Sequence, residues 1–391
     1  MDDVDVLDDG MQSPRPRLAV VAPTHPLTGG AAQFNAAMAA ALADHADVDF
    51  ISWKRLYPSF LHPGVQVDSA SRPPRTVTAE FILDWADPRT WRRALRRIEA
   101  FGAEAVVLPW IHPVLAPPYR FLLRRLRRSA KRVLVCHNVL PHEAHPAARL
   151  LTRATVRHAD LVVTHAPQQR GELAALGLEH IPRLEAFHPW FPVDDLAQPP
   201  SRAEILRERE RLGRPDLLLL SYGAVRPYKG IDLALDALAR VDPRLSVKLV
   251  VAGRFWAGRR ELDDQVKRLD LEERVEFRDR YVTNEETALL FAASDALLLP
   301  YRSASQSGVA AMAFAYRRPV IATAVGGLPA VVRNGENGFL CAPGDTAELA
   351  RAIELLPGAS ARLREGVASG QAHYSFDRYA RLMMEAVRGL A

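Results

Sequence analysis

"LLLPYRSASQSGVAAMAFAYRRPVIATAVGGLPAVV", residues 297–332, joins two apolar stretches through a small polar loop and an alanine-rich helical pattern. Apolar strands that alternate with helices are typical of a parallel sheet covered by helices on both faces. The same alternation runs along the chain, from RLAVVAP in the first half to GFLCAP in the second. The sequence therefore predicts an α/β fold built on parallel sheets.

A break in this alternation divides the chain in two. The segment FHPWFPVDDLAQPPSRAE is rich in proline and aspartate, and we expect a linker near residues 188–200. Because 391 residues exceed a typical single core, we expect similar α/β domains over 15–190 and 201–372, followed by a C-terminal helix over 373–391. Two such domains face each other across a cleft lined by the carboxyl ends of their strands.

Composition favours a cytoplasmic globular protein. Apolar residues make up 48% of the chain, yet no apolar run reaches the roughly 20 residues of a membrane span. The start, MDDVDVLDDG, is acidic and lacks the basic and apolar parts of a signal peptide, so we expect a disordered acidic tail over residues 1–14. Cys136 and Cys341 lie far apart in apolar surroundings, which is typical of reduced core cysteines.

The uncharged loop at residues 303–308 is a candidate binding site. A short hydroxyl-bearing loop that leads into a helix leaves free backbone N–H groups, and these attract anions, phosphate above all. We expect Ser305, Gln306, Ser307 and Gly308 to form such a cradle, since Gly308 has no Cβ to block the approach of a ligand. A serine N-cap on an ordinary helix would explain the same pattern.

A second loop, in SYGAVRPYKGIDLALDAL at residues 221–238, carries two cations. Gly223 ends a strand, and Arg226 and Lys229 project from the loop before a helix starts. The helix dipole repels cations at this end, so a structural role alone does not favour them. They fit a bound phosphate, with Arg226 as a bidentate partner and Lys229 as a point charge. Two phosphate-binding helix starts in one domain fit a diphosphate better than a single anion.

Glycine pairs mark two further turns. Gly29 and Gly30 precede a helix in APTHPLTGGAAQFN, and we place them on the acceptor or phosphate side of the cleft. This pair lacks the G-x-G-x-x-G spacing of a dinucleotide site, and a tight turn would also explain it. Gly326 and Gly327 are expected to let the backbone approach a ligand closely.

His137 follows a buried strand in VLVCHNVLPHE, so we expect it on the cleft side. A functional and a structural role for this histidine remain equally open. His142, Glu143 and His145 follow on the same loop, but the sequence has no matching cluster elsewhere, and we predict no metal site.

Basic residues are concentrated in the middle of the first half of the chain. Between Arg89 and Arg132, twelve Lys or Arg residues stand against two glutamates. A helix through residues 119–131 would place one apolar and one basic face on opposite sides. The basic face suits an anionic membrane surface or an anionic lipid-linked acceptor, although an ordinary solvated helix face is also compatible. Nucleic acid is not expected, because aromatic residues are not interleaved with the basic ones.

Three segments resemble one known family. GAVRPYKGIDLALDAL, LLFAASDALLLPY and RRPVIATAVGGLPAVVRNGENGFLCAPGD are similar to the C-terminal half of group 1 glycosyltransferases, family 4, of the GT-B fold. The resemblance is dense from about residue 217 to 345 and thinner in the first half, where it rests on GGAAQFN and CHNVLPHE.

The resemblance implies two Rossmann-like domains and a nucleoside-diphosphate sugar held mainly by the second one. It also implies a retaining transfer that needs neither cofactor nor metal, to an envelope glycan, a lipid-linked or a small-molecule acceptor. Arg226 and Lys229 would bind the donor diphosphate, and His137 would lie near the transferred sugar. Such an enzyme would work in the cytoplasm, with a peripheral place on the inner face of the cell membrane.

The sequence departs from the family at one point. The family usually carries two glutamates eight residues apart, and the corresponding positions here are near Ala304 and Met312. We expect the Ser-Ala-Ser-Gln-Ser-Gly loop to replace these acidic contacts. A non-catalytic nucleotide-sugar-binding protein is therefore an alternative. A dinucleotide-dependent oxidoreductase is less favoured, because the G-x-G-x-x-G motif is absent.

Overall fold

A computed structural model describes residues 14–27, 29–57, 67, 77–140, 146–193, 197–304 and 307–390. In this part of the chain, the first half forms a parallel sheet with the strand order β3-β2-β1-β4-β5-β6-β7. Its strands are β1 Arg17–Val21, β2 Asp47–Arg55, β3 Ala79–Asp84, β4 Ala105–Trp110, β5 Lys131–Cys136, β6 Leu161–Thr164 and β7 Arg183–Glu185.

The second half repeats this architecture. Its parallel sheet has the order β10-β9-β8-β11-β12-β13. The strands are β8 Leu217–Tyr222, β9 Val247–Ala252, β10 Val275–Arg278, β11 Ala296–Leu299, β12 Val320–Thr323 and β13 Gly338–Cys341.

Helices cover both sheets, as the nearly continuous apolar strands require. The α-helices are α1 Gly30–Ala43, α2 Pro88–Phe101, α3 Ala116–Arg125, α4 Pro146–Val156, α5 Gln168–Ala174, α6 Arg202–Arg211, α7 Ile231–Arg240, α8 Arg259–Arg268, α9 Asn284–Ala293, α10 Gly308–Ala315, α11 Leu328–Val331, α12 Thr346–Gly370 and α13 Phe376–Arg388. Short 3₁₀ turns occupy Pro113–Leu115 and Pro227–Lys229. The parallel α/β architecture with a C-terminal helix is as predicted, whereas the exact domain boundaries stay predictions.

The strand order reverses at one place in each sheet. The first sheet grows outward on both sides of the β1–β4 pair, and the second on both sides of the β8–β11 pair. Such a reversal opens a crevice at the carboxyl ends of the strands, because the connections leave in opposite directions. The segments at residues 223–230 and 300–304 follow β8 and β11, so they flank the crevice of the second sheet.

Two strands were not anticipated from the sequence. β7 has only three residues and lies at the edge of the first sheet, where its side chains are half-buried or exposed. β3 also lies at an edge, and its first three residues are half-buried. Edge strands give a weak apolar pattern because they have a neighbouring strand on one side only, so more of their side chains remain partly exposed.

The basic helix is shorter than predicted. α3 ends at Arg125 rather than continuing through residues 119–131, and Lys131 already pairs with Ala105 as the first residue of β5. Leu126 leaves the helix with φ −56° and ψ 142°, since the chain must turn here to start the next parallel strand. The two faces are otherwise as expected. The buried members are Tyr119, Leu122, Leu123, Leu126 and Ala130, and the exposed ones are Arg120, Arg124, Arg127 and Arg128.

The two cysteines are free and buried, as expected. In the described ranges, no helix combines the length and the apolar character that crossing a bilayer requires. The predicted acidic tail falls almost wholly on residues 1–13, which lie outside the described residues.

The last helix returns to the first half of the molecule. α12 packs against α7 beside the second sheet, whereas α13 packs against α1 beside the first. Tyr379 of α13 is fully buried, and its hydroxyl lies 2.8 Å from Nε2 of His165 at the end of β6. The C-terminal segment therefore ties the two halves together.

Candidate functional site

The loop after β8 adopts a conformation that depends on glycine. Gly223 has φ +89°, and Gly230, just before α7, has φ +63°. A Cβ at Gly230 would lie 2.0 Å from the carbonyl oxygen of Pro300, so no other residue fits this close approach. The loop is thereby held against the start of the segment that follows β11.

Lys229 is buried beneath this loop. Its side chain is only 4% exposed, and its Nζ donates a hydrogen bond to the carbonyl oxygen of Tyr222 at 2.6 Å. Burial, and then the charge of Arg226, lower the pKa of Lys229 to about 7. A Cβ on Gly223 would lie 3.1 Å from Nζ, so the missing side chain leaves room for the amine.

Arg226 lies nearer the solvent, with its guanidinium carbon 4.1 Å from the centre of the Trp256 ring. Two backbone hydrogen bonds fix the loops that carry them, from Val225 N to Arg254 O at 2.8 Å and from Trp256 N to Val225 O at 3.0 Å. Within the described residues, neither Arg226 nor Lys229 pairs with a carboxylate. The loop therefore presents two cations whose charge an anion could balance.

The start of α10 lies beside the same loop. Ser307 is its N-cap, and Oγ accepts a hydrogen bond from Ala310 N at 3.2 Å, which fits the N-cap interpretation for this residue. A Cβ on Gly223 would lie 3.7 Å from Cγ2 of Val309, so the structure brings the two predicted helix starts together. Ser305 and Gln306 lie outside the described residues.

Gly326 lies against the loop that follows β11. A Cβ on Gly326, which has φ +54°, would lie 1.4 Å from the carbonyl oxygen of Ala304. Gly326 thus approaches the chain's own loop closely, and the approach of Gly326 and Gly327 to a ligand stays a prediction. Gly326 supports the loop at residues 303–304 from behind.

The Gly29–Gly30 turn begins α1 on the opposite side of the cleft. Both glycines are exposed, and no atom of the described residues lies within 4 Å of a Cβ built on either one. One turn further along, Nε2 of Gln33 donates a hydrogen bond to Oδ1 of Asn284 in α9 at 3.0 Å. The structure thus leaves open space beside the turn while α1 contacts the second half of the molecule.

His137 lies directly after β5, at the carboxyl edge of the first sheet. Its ring packs edge-on against Phe34 of α1, with centroids 4.6 Å apart. Burial, and then the charge of His188, lower the pKa of His137 to about 3, so the imidazole is neutral at physiological pH. Its Nε2 is buried without a hydrogen-bond partner among the described residues. His142, Glu143 and His145 of the same loop lie outside those residues.

Sequence reasoning missed a recurring pattern of histidines. His112, His165 and His188, like His137, follow strands of the first sheet, in VLPWIH, LVVTH and LEAFH. His165 and His188 lie 5.7 Å apart between ring centroids, and both contact the Phe34 ring. The repeated histidine after an apolar strand is a signal that could have identified this cluster.

Gln169 holds two of these strand ends in place. Its Oε1 accepts hydrogen bonds from the backbone N–H groups of His165 and Ala166, and its Nε2 donates to the carbonyls of Cys136 and His137. Across the ranges that the structure describes, no three His, Cys, Asp or Glu side chains are placed to share a metal ion. His137, His165 and His188 instead form a packed wall around the Phe34 ring, and burial lowers the pKa of each.

Comparison with known sequences places this site in a family context. Residues 216–357 match the family model of glycosyl transferases group 1. A D-inositol 3-phosphate glycosyltransferase from Streptomyces bingchenggensis is 32% identical over 265 residues, which cover 62% of this chain and 57% of that protein. Its counterpart from Streptomyces scabiei is 33% identical over 220 residues, which cover 53% and 48%. The chain thus spans about half the length of these relatives.

Solved structures share the whole architecture. Sucrose-phosphate synthase from Thermosynechococcus elongatus has a TM-score of 0.70 at 21% identity, covering 96% of this chain and 99% of that one. The catalytic domain of starch synthase IV from Arabidopsis thaliana, bound to ADP and acarbose, has a TM-score of 0.73 at 16% identity and covers 97% and 99%. HepE from Anabaena in complex with UDP-glucose has a TM-score of 0.69 at 18% identity and covers 95% and 99%. These likenesses confirm the predicted fold of two Rossmann-like domains facing across a cleft.

Proposed function

Because residues 216–357 form a glycosyl transferases group 1 domain within a GT-B fold, we propose that this protein is a glycosyltransferase. It moves a sugar from a nucleoside-diphosphate sugar to an envelope glycan, a lipid-linked or a small-molecule acceptor, with retention of configuration. The observation that carries the proposal is a pair of cations beside the start of α10, Arg226 and Lys229, which have no carboxylate partner among the described residues.

The diphosphate fits between the loop after β8 and the start of α10. Its oxygens would accept hydrogen bonds from Arg226, Lys229 and the free backbone N–H groups at the beginning of the helix. As the bond to the sugar breaks, negative charge grows on the leaving diphosphate, and the same groups stabilise it. This cationic environment is why we expect the reaction to need no metal ion.

We place His137 on the facing wall, where it would meet the transferred sugar. Because its imidazole is neutral, its unpaired Nε2 can form a hydrogen bond with a hydroxyl group but cannot add positive charge. Closure of the two domains would exclude water from this space and so favour transfer over hydrolysis. The Gly29–Gly30 turn, with open space beside it, suits the acceptor side.

A basic surface suggests where the acceptor is found. Next to α3, helix α4 exposes Leu150 by 69% and Leu151 by 39%. The pKa of His158 is lowered by burial first and then by the charges of four nearby arginines, namely Arg157, Arg124, Arg120 and Arg132. The positive charges of α3, of the turn after α4 and of β5 therefore lie close together. Exposed leucines among arginines suit anionic lipid headgroups. We therefore place the protein in the cytoplasm, peripherally on the inner face of the cell membrane.

The test is incubation with UDP-, GDP- and ADP-sugars without an acceptor, together with calorimetric titration of the three nucleoside diphosphates. A transferase should bind one of the three nucleoside diphosphates and slowly hydrolyse the corresponding nucleoside-diphosphate sugar. Binding without any turnover would favour a non-catalytic nucleotide-sugar-binding protein. Failure to bind any of the three diphosphates would contradict the proposal.

His137→Ala should lower the turnover rate far more than the affinity for the donor, because His137 belongs to the first half of the chain and the proposed diphosphate loops belong to the second. His180→Ala, at an exposed histidine of the same half, is the control. A loss confined to nucleotide binding would contradict the placement of His137 beside the sugar.

A further inference from the structure

A small cavity lies where the histidine wall meets the start of α10. One side comes from the first half of the chain and the segment that leaves it, and the other from the loops and helices after β11 and β12. The lining residues are His165, His188, Trp190, Ser307, Ala311, Phe314, Gly327 and Val331.

His188 presents one defined nitrogen to this region. Its Nδ1 lies 2.9 Å from the carbonyl oxygen of Pro189, and since a carbonyl can only accept, Nδ1 carries the proton. Burial lowers the pKa of His188 to about 4, so the ring is neutral and Nε2 holds a lone pair. The side chain is 8% exposed, and in the described structure Nε2 has no hydrogen-bond partner.

The start of α10 lies close to Nε2 of His188. A Cβ built on Gly308 would lie 3.9 Å from Nε2 of His188, so the gap between them is open only because residue 308 is a glycine. On the neighbouring ring, Nδ1 of His165 is buried without a hydrogen-bond partner among the described residues, while its Nε2 is hydrogen-bonded with Tyr379. A polar atom left unpaired in such a place is unfavourable, and a ligand group that forms a hydrogen bond with it recovers that free energy.

The chemistry of this gap selects a hydroxyl rather than a phosphate oxygen. An ionised phosphate has no proton to give to Nε2, whereas a sugar hydroxyl donates one and can accept from an N–H of the helix start. The gap adjoins the start of α10, whose next residue, Val309, lies beside Gly223 and the loop of Lys229. A group attached to a diphosphate at that loop could therefore reach it.

We propose that Nε2 of His188 and the start of α10 bind a hydroxyl group of the sugar that the donor carries. This inference rests on the proposed function and deepens it, since it assigns to the segment between the two sheets a part in recognising the sugar. His188 contacts the substrate through a hydrogen bond and takes no proton in the reaction.

The experiment measures the affinities for a nucleoside diphosphate and for the corresponding nucleoside-diphosphate sugar, in the parent and in His188→Phe. The ratio of the two affinities is the contribution of the sugar to binding. Phenylalanine keeps a ring against Phe34 but removes Nε2. Titrations use UDP with UDP-glucose, GDP with GDP-mannose and ADP with ADP-glucose, and the pair that shows the largest sugar contribution in the parent is followed. We expect unchanged diphosphate affinity and a loss of about 3- to 10-fold in the sugar contribution, the worth of one neutral hydrogen bond.

A second variant keeps the inference testable if the first folds poorly. Gly308→Ala places a methyl group at ordinary contact distance from His188, so the fold tolerates it while the gap is filled. It should reduce the sugar contribution in the same way. A sugar contribution unchanged in both variants would overturn the inference, while diphosphate binding by the parent still upholds the proposed function. If the parent binds no diphosphate, both are overturned.

Discussion

At the scale of single residues, the nucleotide site depends on a buried lysine. Lys229 has a lowered pKa of about 7 and a backbone carbonyl as its hydrogen-bond partner. Burial disfavours its charged form, and a bound diphosphate would favour it. Ligand binding and protonation of Lys229 are therefore expected to be coupled.

Nucleoside-diphosphate affinity should fall as the pH rises above 7. In the free protein Lys229 loses its proton near pH 7. The bound anion would raise the pKa of Lys229, so at a pH between the pKa of the free protein and that of the complex, binding is accompanied by uptake of a proton. The affinity then decreases by up to about ten-fold per pH unit. Calorimetry from pH 6.5 to 9, in buffers of different ionisation enthalpy, measures both affinity and proton uptake.

Lys229→Met should abolish this proton uptake and weaken binding near pH 7 by about 1.5 to 3 kcal/mol. Arg226→Ala should weaken binding by a similar amount and move the pH dependence upward, because its charge helps to lower the pKa of Lys229. Arg240→Ala, at the exposed far end of α7, is the control. An affinity independent of pH, or equal in parent and Lys229→Met, would contradict the assignment.

Ser307 separates helix capping from ligand binding. Ser307→Ala removes the hydrogen bond to Ala310 N and should lower the free energy of unfolding by about 1 kcal/mol, with a small effect on nucleotide affinity. Ser307→Asp can still cap α10, so it should keep the stability but weaken diphosphate binding strongly through like charge. Chemical denaturation and titration of both variants measure this. Equal affinities would leave Ser307 with a capping role alone.

At the scale of elements, α3 and α4 should form the contact with a membrane surface. Co-sedimentation with anionic vesicles should weaken as ionic strength rises, and each arginine near the surface is worth about 1 kcal/mol at most. Leu150→Gln and Arg153→Glu should each reduce binding. Leu206→Gln, at an exposed leucine of α6, is the matched control. Binding indifferent to lipid charge and to salt would show that these helices form an ordinary solvated face.

At the scale of the whole molecule, α13 joins the C-terminus to the first sheet. The hydroxyl of Tyr379 hydrogen-bonds with Nε2 of His165, and both side chains are buried. Tyr379→Phe would leave Nε2 of His165 without this partner, so the free energy of unfolding should fall by about 1 to 3 kcal/mol. Denaturant titration tests this prediction.

The control for this change is Arg381→Ala, which breaks an exposed ion pair with Asp377 and should cost about 0.5 kcal/mol or less. Equal stability of Tyr379→Phe and the parent would mean that packing alone holds α13 in place.

Local sequence patterns determined most of the secondary structure and the fold class. The apolar runs that predict β8 and β11, and the amphipathic pattern of α13, depend on neighbours along the chain, so periodicity alone identifies them. The same holds for the loop that carries Arg226 and Lys229, because a cation before a helix start is visible in the sequence. Only the tertiary structure decided where α3 ends, since pairing of β5 with β4 overrides the helical pattern beyond Arg125.

Tertiary structure also decided the environment of each site residue. His165 meets Tyr379 across 214 positions of sequence, and the gap between His188 and Gly308 exists only because two separately folded sheets pack together. The lowered pKa values of Lys229 and His137 result from burial, which depends on everything packed around them. The sequence by itself thus identified the chemical groups, whereas packing between distant segments set their charge, their hydrogen-bond partners and the space left for a ligand.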